Sequence, residues 1–225
     1  MRVAIFGGTG PEGKGLALHW ASTGEEILIG SRQAERAQAT VAELNARLGQ
    51  DLLRGGTNEE VAEAAEVIVV SVPFEGHRSL LTRLAPQLQK KIVIDVVIPL
   101  GQGFPPAHVP PPEGSAAEEA RAILGTEIPL AAAFQNVSAH GLNRWPKPLE
   151  GDVLVCGDAP PAKETALYLT GKLGFRGLDA GPLTNARHVE GLTVLLLHLN
   201  HVYGTKSVGI QVTEIDDSRK RRTGR

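Results

Sequence analysis

The sequence predicts an α/β fold built on a doubly wound parallel sheet, and three features carry that prediction. Short apolar runs alternate with amphipathic stretches through the first 100 residues. The runs at 67–72 (VIVVSV) and 92–98 (IVIDVVI) are continuous and rich in β-branched residues, as strands covered on both faces require. A glycine cluster, Gly8-Thr9-Gly10-Pro11-Glu12-Gly13, stands between the first apolar run and the first amphipathic stretch. Alternation of this kind leads to right-handed crossovers and parallel strands.

Taken in order, residues 3–6 form a short apolar run ended by glycines, which predicts a buried strand. Residues 14–21 predict a helix closed by Gly24, and 26–30 (EILIG) a second strand. Over 33–48 the apolar residues Ala37, Val41, Leu44 and Leu48 recur at helical spacing. Residues 51–54 suit a short third strand. Thr57 and Glu60 have the spacing of a capping box and open a helix through Ala65. Strands are expected at 67–72 and 92–98, with a helix at 80–88 between them. Residues 101–114 hold Pro105, Pro106, Pro110, Pro111 and Pro112, so an extended surface loop is expected. Ser115 and Glu118 repeat the capping spacing and start a helix through Leu124.

Residues 130–134 and 152–156 read as strands, and 161–173 as a helix. The longest helix is expected at 184–203. Its centre at 192–197 is apolar nearly all round, which predicts that it is largely buried. A last strand is expected at 208–212. The tail, with Arg219, Lys220, Arg221, Arg222 and Arg225, has no apolar anchor and is expected to be disordered. The chain then divides into a nucleotide-binding domain at 1–139, a small C-terminal α/β appendage containing the long buried helix at 140–214, and a basic tail at 215–225.

Composition excludes several classes. With 42% hydrophobic and 21% charged residues, the chain can bury an ordinary core. A formal net charge of −2 gives no global field for nucleic acid or an anionic membrane. No run reaches the roughly 18 apolar residues of a membrane span, and the N-terminus lacks a signal-peptide pattern. Cys156 is the single cysteine, so no internal disulfide can form, which favours a reducing compartment. A cytoplasmic protein is expected.

Each glycine of the cluster has a physical role. Gly8 permits the tight turn, Gly10 lets backbone approach a pyrophosphate, and Gly13 lets the helix pack close to the strand. The helix N-terminus offers free N–H groups and partial positive charge to phosphates, and Pro11 and Glu12 suit its first turn. The alternative is a plain glycine-rich turn, but the flanking strand and helix signals argue for a Rossmann-type dinucleotide-binding unit. Such units carry Asp or Glu at the tip of the second strand when they hold the ribose 2′-OH of NAD. This chain reads Gly30-Ser31-Arg32 there, with Arg36 one helical turn on. A hydroxyl and two guanidinium groups suit a 2′-phosphate, so NADP(H) is predicted. Arg36 by itself also fits a solvated charge at a helix start. The fourth strand ends at Ser71-Val72-Pro73, which is expected to lie along the nucleotide; an ordinary strand-ending turn is the alternative.

Beyond that unit, residues 1–10 (MRVAIFGGTG), 13–17 (GKGLA), 30–32 (GSR), 153–158 (VLVCGD) and 178–187 (LDAGPLTNAR), with the long C-terminal helix, resemble the NADPH:coenzyme F420 oxidoreductase family. The resemblance spans nearly the whole chain. It implies a homodimer and an 8-hydroxy-5-deazaflavin coenzyme docked on the nicotinamide in a cleft. It implies that Thr9, Gly10, Pro11 and Glu12 line the pyrophosphate, and that Ser31, Arg32 and Arg36 hold the 2′-phosphate. Val72, Pro73 and Val97 would border the nicotinamide half. Gln135, Asn136, Val137, Ser138 and Ala139 would lie at the reacting rings, with Val208 near the same pocket. Gln135 and Ser138 stand where archaeal members carry histidine and proline, so the acceptor stays open between the deazaflavin and an imine, ketone or flavin.

Hydride transfer between nicotinamide and deazaflavin asks the protein mainly for positioning and exclusion of water. In keeping with that, no nucleophile–base pair is evident and no catalytic residue is nominated. Tyr168 and Lys172 are expected to be a surface helix pair. His198 and His201 share a helix face, yet a metal needs further ligands, so core or interface histidines are expected. Cys156 is expected to be a buried small hydrophobe. Asn185 suits a helix cap, and Arg187 a structural role more than a substrate contact. The short basic tail lacks interleaved aromatics, so no nucleic-acid partner is expected. A non-catalytic NADP(H)-sensing module is the remaining alternative.

Overall fold

The computed structural model describes residues 1–215, so the expectation of a disordered basic tail falls almost wholly outside the described residues. Eight strands form one sheet in the order β3-β2-β1-β4-β5-β6-β7-β8. They are β1 (Arg2–Phe6), β2 (Glu26–Ser31), β3 (Leu53–Thr57), β4 (Val67–Val70), β5 (Ile92–Asp95), β6 (Leu130–Ala132), β7 (Asp152–Gly157) and β8 (Arg176–Asp179). All neighbours pair in parallel except β6 and β7. The helices are α1 (Pro11–Ser22), α2 (Ala34–Leu48), α3 (Asn58–Ala64), α4 (Phe74–Leu84), α5 (Ala116–Leu124), α6 (Ala139–Leu142), α7 (Pro160–Lys172) and α8 (Ala186–Val202).

The continuous apolar runs are explained by two cores, one on each face of the sheet. Val3 and Ile5 of β1 and Val67 and Val69 of β4 belong to one core, with Leu16, Trp20 and Leu169. Ala4, Phe6, Ile68 and Val70 point the other way, against Leu81, Leu84 and Ala117. Period-2 alternation thus leaves no polar face on these strands. The helix starts follow local chemistry. Thr57 and Glu60 make a full capping box, Ser115 Oγ accepts the Glu118 N–H, and Pro11 and Pro160 open α1 and α7.

Several elements differ from the sequence expectation. The strands expected at 67–72, 92–98 and 130–134 end at Val70, Asp95 and Ala132. Their last apolar residues lie beyond the sheet's carboxyl edge, outside regular structure. The helix expected at 80–88 starts at Phe74 and finishes in a 3-10 turn, Ala85–Leu88, that contains Pro86. α8 is buried on one face only: Val189, Thr193 and Leu196 are covered, while Leu195, Leu199 and Val202 are exposed. A helix lying on the outside of the molecule has one partner face, whatever its sequence offers on the other. Residues 208–212 form no strand. Ile210 O accepts the Asp152 N–H, but the Val212 N–H turns to the Asp152 carboxylate and the ladder stops. β8 and the four-residue α6 carry no periodic signal, β8 being a partly exposed edge strand.

Candidate functional site

The glycine loop joins β1 to α1 at the carboxyl edge of the sheet. Gly7 is the residue that needs a left-handed backbone (φ 70), and a Cβ there would lie 2.5 Å from Ser71 O. Gly8 N donates to Ile5 O and Gly30 O at 3.1 Å, and a Cβ on Gly13 would come within 2.6 Å of Gly8 Cα. Gly8 and Gly13 therefore act by packing beneath the loop and line neither cavity described below. At Gly10 a Cβ would meet only Gly7 O, at 3.5 Å, so this glycine borders open space.

Two cavities meet at Gly10, Pro11 and residues 71–73. The first, about 750 Å³, runs over Thr9 to Ser31, Arg32 and Arg36. Ser31 is buried and its Oγ accepts the Gln33 N–H, while Arg32 and Arg36 are exposed. Asn58 and Arg83 line the same cavity, and no motif in the sequence points to either. Asn58 is buried, and its Oδ1 has no hydrogen-bond partner among the described residues.

The second cavity, about 510 Å³, collects Glu12, Val72, Pro73, Val97, Gln135, Asn136, Val137, Ser138, Ala139 and Val208. α8 closes it with Thr193, Leu196 and Leu197. Phe134 enters the turn at φ 75, a strained backbone for a bulky residue, and packs edge-on to Trp20 at 5.6 Å. The turn is then fixed by hydrogen bonds. Gln135 Nε2 donates to Asp95 O and Thr193 Oγ1 to Gln135 O, both at 2.9 Å. Asn136 Nδ2 donates to Asp152 O at 2.7 Å, and its Oδ1 accepts the Leu154 N–H. Ser138 Oγ donates to Lys206 O at 2.7 Å and caps α6. Two oxygens on this cavity's lining residues, Gln135 Oε1 and Glu12 Oε1, are buried without a hydrogen-bond partner among the described residues. Buried polar atoms left this way suit a ligand that brings donors.

The electrostatics hold more than the sequence suggested. Burial pushes the Glu12 carboxyl up to about 8. Burial also pushes Glu190 up to about 8, against the Ala116 and Ala117 N–H groups that donate to it. Burial would lower the His77 imidazole, but the facing carboxylates of Asp95 and Glu119 outweigh it and push it up to about 9. These groups are scattered along the chain with no motif spacing.

The other singled-out residues fall as follows. Burial pushes the Cys156 thiol up to about 11, in keeping with a small hydrophobe. Tyr168 Oη donates to Glu25 Oε1, and Lys172 Nζ lies 5.3 Å from the Tyr168 ring, away from both cavities. Asn185 occupies the cap position of α8, but its side chain donates to Ala180 O and caps nothing. Arg187 pairs with Glu118. His198 and His201 are exposed, which corrects the core reading, and His201 stacks edge-on with Phe104. Among the described residues no group of three or more candidate metal ligands occurs, and no helix is long and apolar enough to cross a membrane.

Fold and site together define a Rossmann-type α/β protein whose glycine-loop cavity opens at its far end into a second, mostly apolar one. Comparison with known proteins narrows this class. Residues 2–99 match the family described as NADP oxidoreductase, coenzyme F420-dependent. The F420-dependent NADP reductase of Methanothermobacter thermautotrophicus is 37% identical, covering 96% of this chain and 97% of that protein. That of Methanocaldococcus jannaschii is 35% identical, covering 96% and 100%. A crystal structure from Arthrobacter sp. FB24, assigned provisionally as an F420-dependent NADP reductase, shares the fold with a TM-score of 0.80 at 24% identity, over 93% of this chain and 98% of that one. The chain belongs to the family of coenzyme F420-dependent NADP oxidoreductases.

Proposed function

We propose that the chain is an oxidoreductase that transfers a hydride between NADP(H) and the deazaflavin coenzyme F420. One observation carries the reading: the nucleotide cavity opens at its far end into a second, mostly apolar cavity walled by residues 135–139 and α8. The nicotinamide and the deazaflavin supply the redox chemistry themselves when bound. The chain's part is to hold them. Ser31, Arg32 and Arg36 grip the 2′-phosphate, Thr9 to Glu12 follow the pyrophosphate, and Asn58 Oδ1 offers an acceptor to a ribose hydroxyl. Val72, Pro73 and Val97 flank the nicotinamide. Gln135 to Ala139 and Val208 face the acceptor ring and keep water from it. In this reading residues 1–139 form the nucleotide domain and 140–214 close the acceptor cleft.

The test is direct. NADPH and the oxidised coenzyme, mixed with purified protein, should lose the coenzyme's visible absorbance at a rate proportional to enzyme. Absence of turnover with authentic coenzyme overturns the reading.

A second reading, reduction of an imine or ketone by NADPH, is favoured by one feature. Glu12 is a carboxyl on this cavity's wall that burial keeps protonated near neutrality, and such a reduction needs a proton donor. Turnover of cyclic imines but not of the deazaflavin selects it. A non-catalytic sensor is disfavoured because the nicotinamide end is open to a second molecule. The protein is proposed to act in the cytoplasm as a homodimer, supported by the exposed apolar face of α8 at Leu195, Leu199 and Val202. A monomer by light scattering overturns the dimer.

A further inference from the structure

His77 lies on α4, fully buried between β5 and α5. Its Nε2 is 2.9 Å from Asp95 Oδ2, and its Nδ1 is 2.9 Å from Glu119 Oε1. Asp95 and Glu119 are themselves 0% and 3% exposed. A carboxylate faces each ring nitrogen, an arrangement that an imidazolium satisfies by donating from both. Arg78 Nη2 supports the far side of the cluster, 2.7 Å from Glu119 Oε2, and Phe74 stacks on the imidazole. The imidazole and both carboxylates are buried, and each of their polar atoms has a partner.

Its consequence lies at Asp95, the last residue of β5. The second carboxylate oxygen, Oδ1, accepts the Val97 N–H at 2.9 Å. The Asp95 carbonyl accepts Gln135 Nε2, also at 2.9 Å. Val97 and Gln135 are both walls of the apolar cavity, while His77, Asp95 and Glu119 line neither cavity. One buried side chain and its own carbonyl therefore set two walls, and His77 sets that side chain.

We propose that His77 is a positioning residue, which through Asp95 fixes the Val97 and Gln135 walls against which the nicotinamide of NADP(H) lies. The inference rests on the NADP(H) reading above. Loss of the imidazolium leaves two buried carboxylates facing each other, and Asp95 is driven away from Glu119. That movement loosens the Val97 N–H contact and disturbs the carbonyl to which both Gln135 Nε2 and the Ala133 N–H donate. The 2′-phosphate end is remote from this effect, because it lies at the tip of β2, beyond β1 and β4 from β5.

The experiment uses that separation. Wild type and His77→Gln are titrated with NADPH and with 2′,5′-ADP, which carries the 2′-phosphate end and no nicotinamide. The expected result is at least about a tenfold loss for NADPH, with 2′,5′-ADP changed by less than about twofold. In turnover, kcat should fall while KM for the acceptor changes little. Replacing Glu119 by Gln in the His77→Gln background removes one of the opposed carboxylates and should recover part of the NADPH affinity. If His77→Gln does not fold, Asp95→Asn carries the same expected split. Equal weakening of both ligands, or of neither, overturns the positioning role while leaving the nucleotide reading intact. Failure of the wild type to bind either ligand overturns both.

Discussion

Arg176 holds Asp152 with a two-nitrogen fork: Nε lies 2.7 Å from Oδ1 and Nη2 2.6 Å from Oδ2. The same Oδ2 accepts the Val212 N–H, and Asp152 is buried. This knot ties the segment after α8 to the start of β7, and Val208 of that segment walls the apolar cavity. Arg176→Leu leaves a buried carboxylate without its cation, which should cost about 3 kcal/mol. The acceptor's KM should rise several-fold while NADPH binding holds. Arg176 also holds the Asp152 carboxyl below the usual range, so the stability it gives is present above the ordinary carboxylate pKa and is lost as pH falls through the lowered value. Acid unfolding of wild type and variant compares the two.

Nucleotide preference should follow Arg32 and Arg36. Hydrogen bonds to charged groups contribute about 1.5–3 kcal/mol each, so the double replacement by Ala should lower kcat/KM for NADPH by at least about tenfold. NADH, without a 2′-phosphate, should be used as before. Equal losses for both nucleotides would take the 2′-phosphate away from these arginines.

The nucleotide half was legible because glycine spacing, strand composition and capping pairs are local signals. Gly10, Ser31, Arg32 and Arg36 were all readable, and the structure brings them into one cavity. Val97, residues 135–139 and Val208 came from the family resemblance, because no period or spacing links positions so far apart. His77, Asp95 and Glu119 were not readable at all. A lone His at 77, an Asp inside an apolar strand and a Glu on an amphipathic helix each look ordinary until the sheet brings them together. The long helix departs from its sequence expectation for the converse reason: apolar content limits what can be buried, and only the surrounding elements decide what is.

Stability should fall with rising pH on the alkaline side. His77 has its folded pKa raised to about 9, so its contribution is complete below about 6.5 and is lost as pH rises through 9. Glu190, raised to about 8, acts in the same direction, since the folded state holds a proton that the unfolded chain gives up above about 4.5. Thermal midpoints should therefore drop steadily from pH 6 to 9. Glu190→Gln keeps an oxygen for the Ala116 and Ala117 N–H groups and should flatten the part of the slope below pH 8. An unchanged slope in that variant would assign the protons elsewhere.

NADPH binding should carry its own pH dependence through Glu12. This carboxyl sits in the first turn of α1, beside the glycine loop, with Oε1 buried and unpartnered among the described residues. Below its raised pKa of about 8 it is neutral and can donate a hydrogen bond to the nucleotide. Above that value the half-buried side chain is an anion, and with the pyrophosphate following Thr9 to Glu12 as proposed, the like charges oppose binding. The nucleotide's negative charge also raises the carboxyl's pKa in the complex. Affinity should therefore be flat from pH 6 to 7.5 and weaken beyond it, by up to about tenfold per pH unit once the free enzyme has lost the proton. Glu12→Gln keeps a neutral donor of the same shape and should bind NADPH as tightly at pH 8.5 as at pH 7. At pH 8.5 and below most of the His77 imidazole, raised to about 9, is still charged. A wild-type profile reproduced by Glu12→Gln would remove Glu12 from nucleotide binding and leave its buried carboxyl to the acceptor side of the cavity.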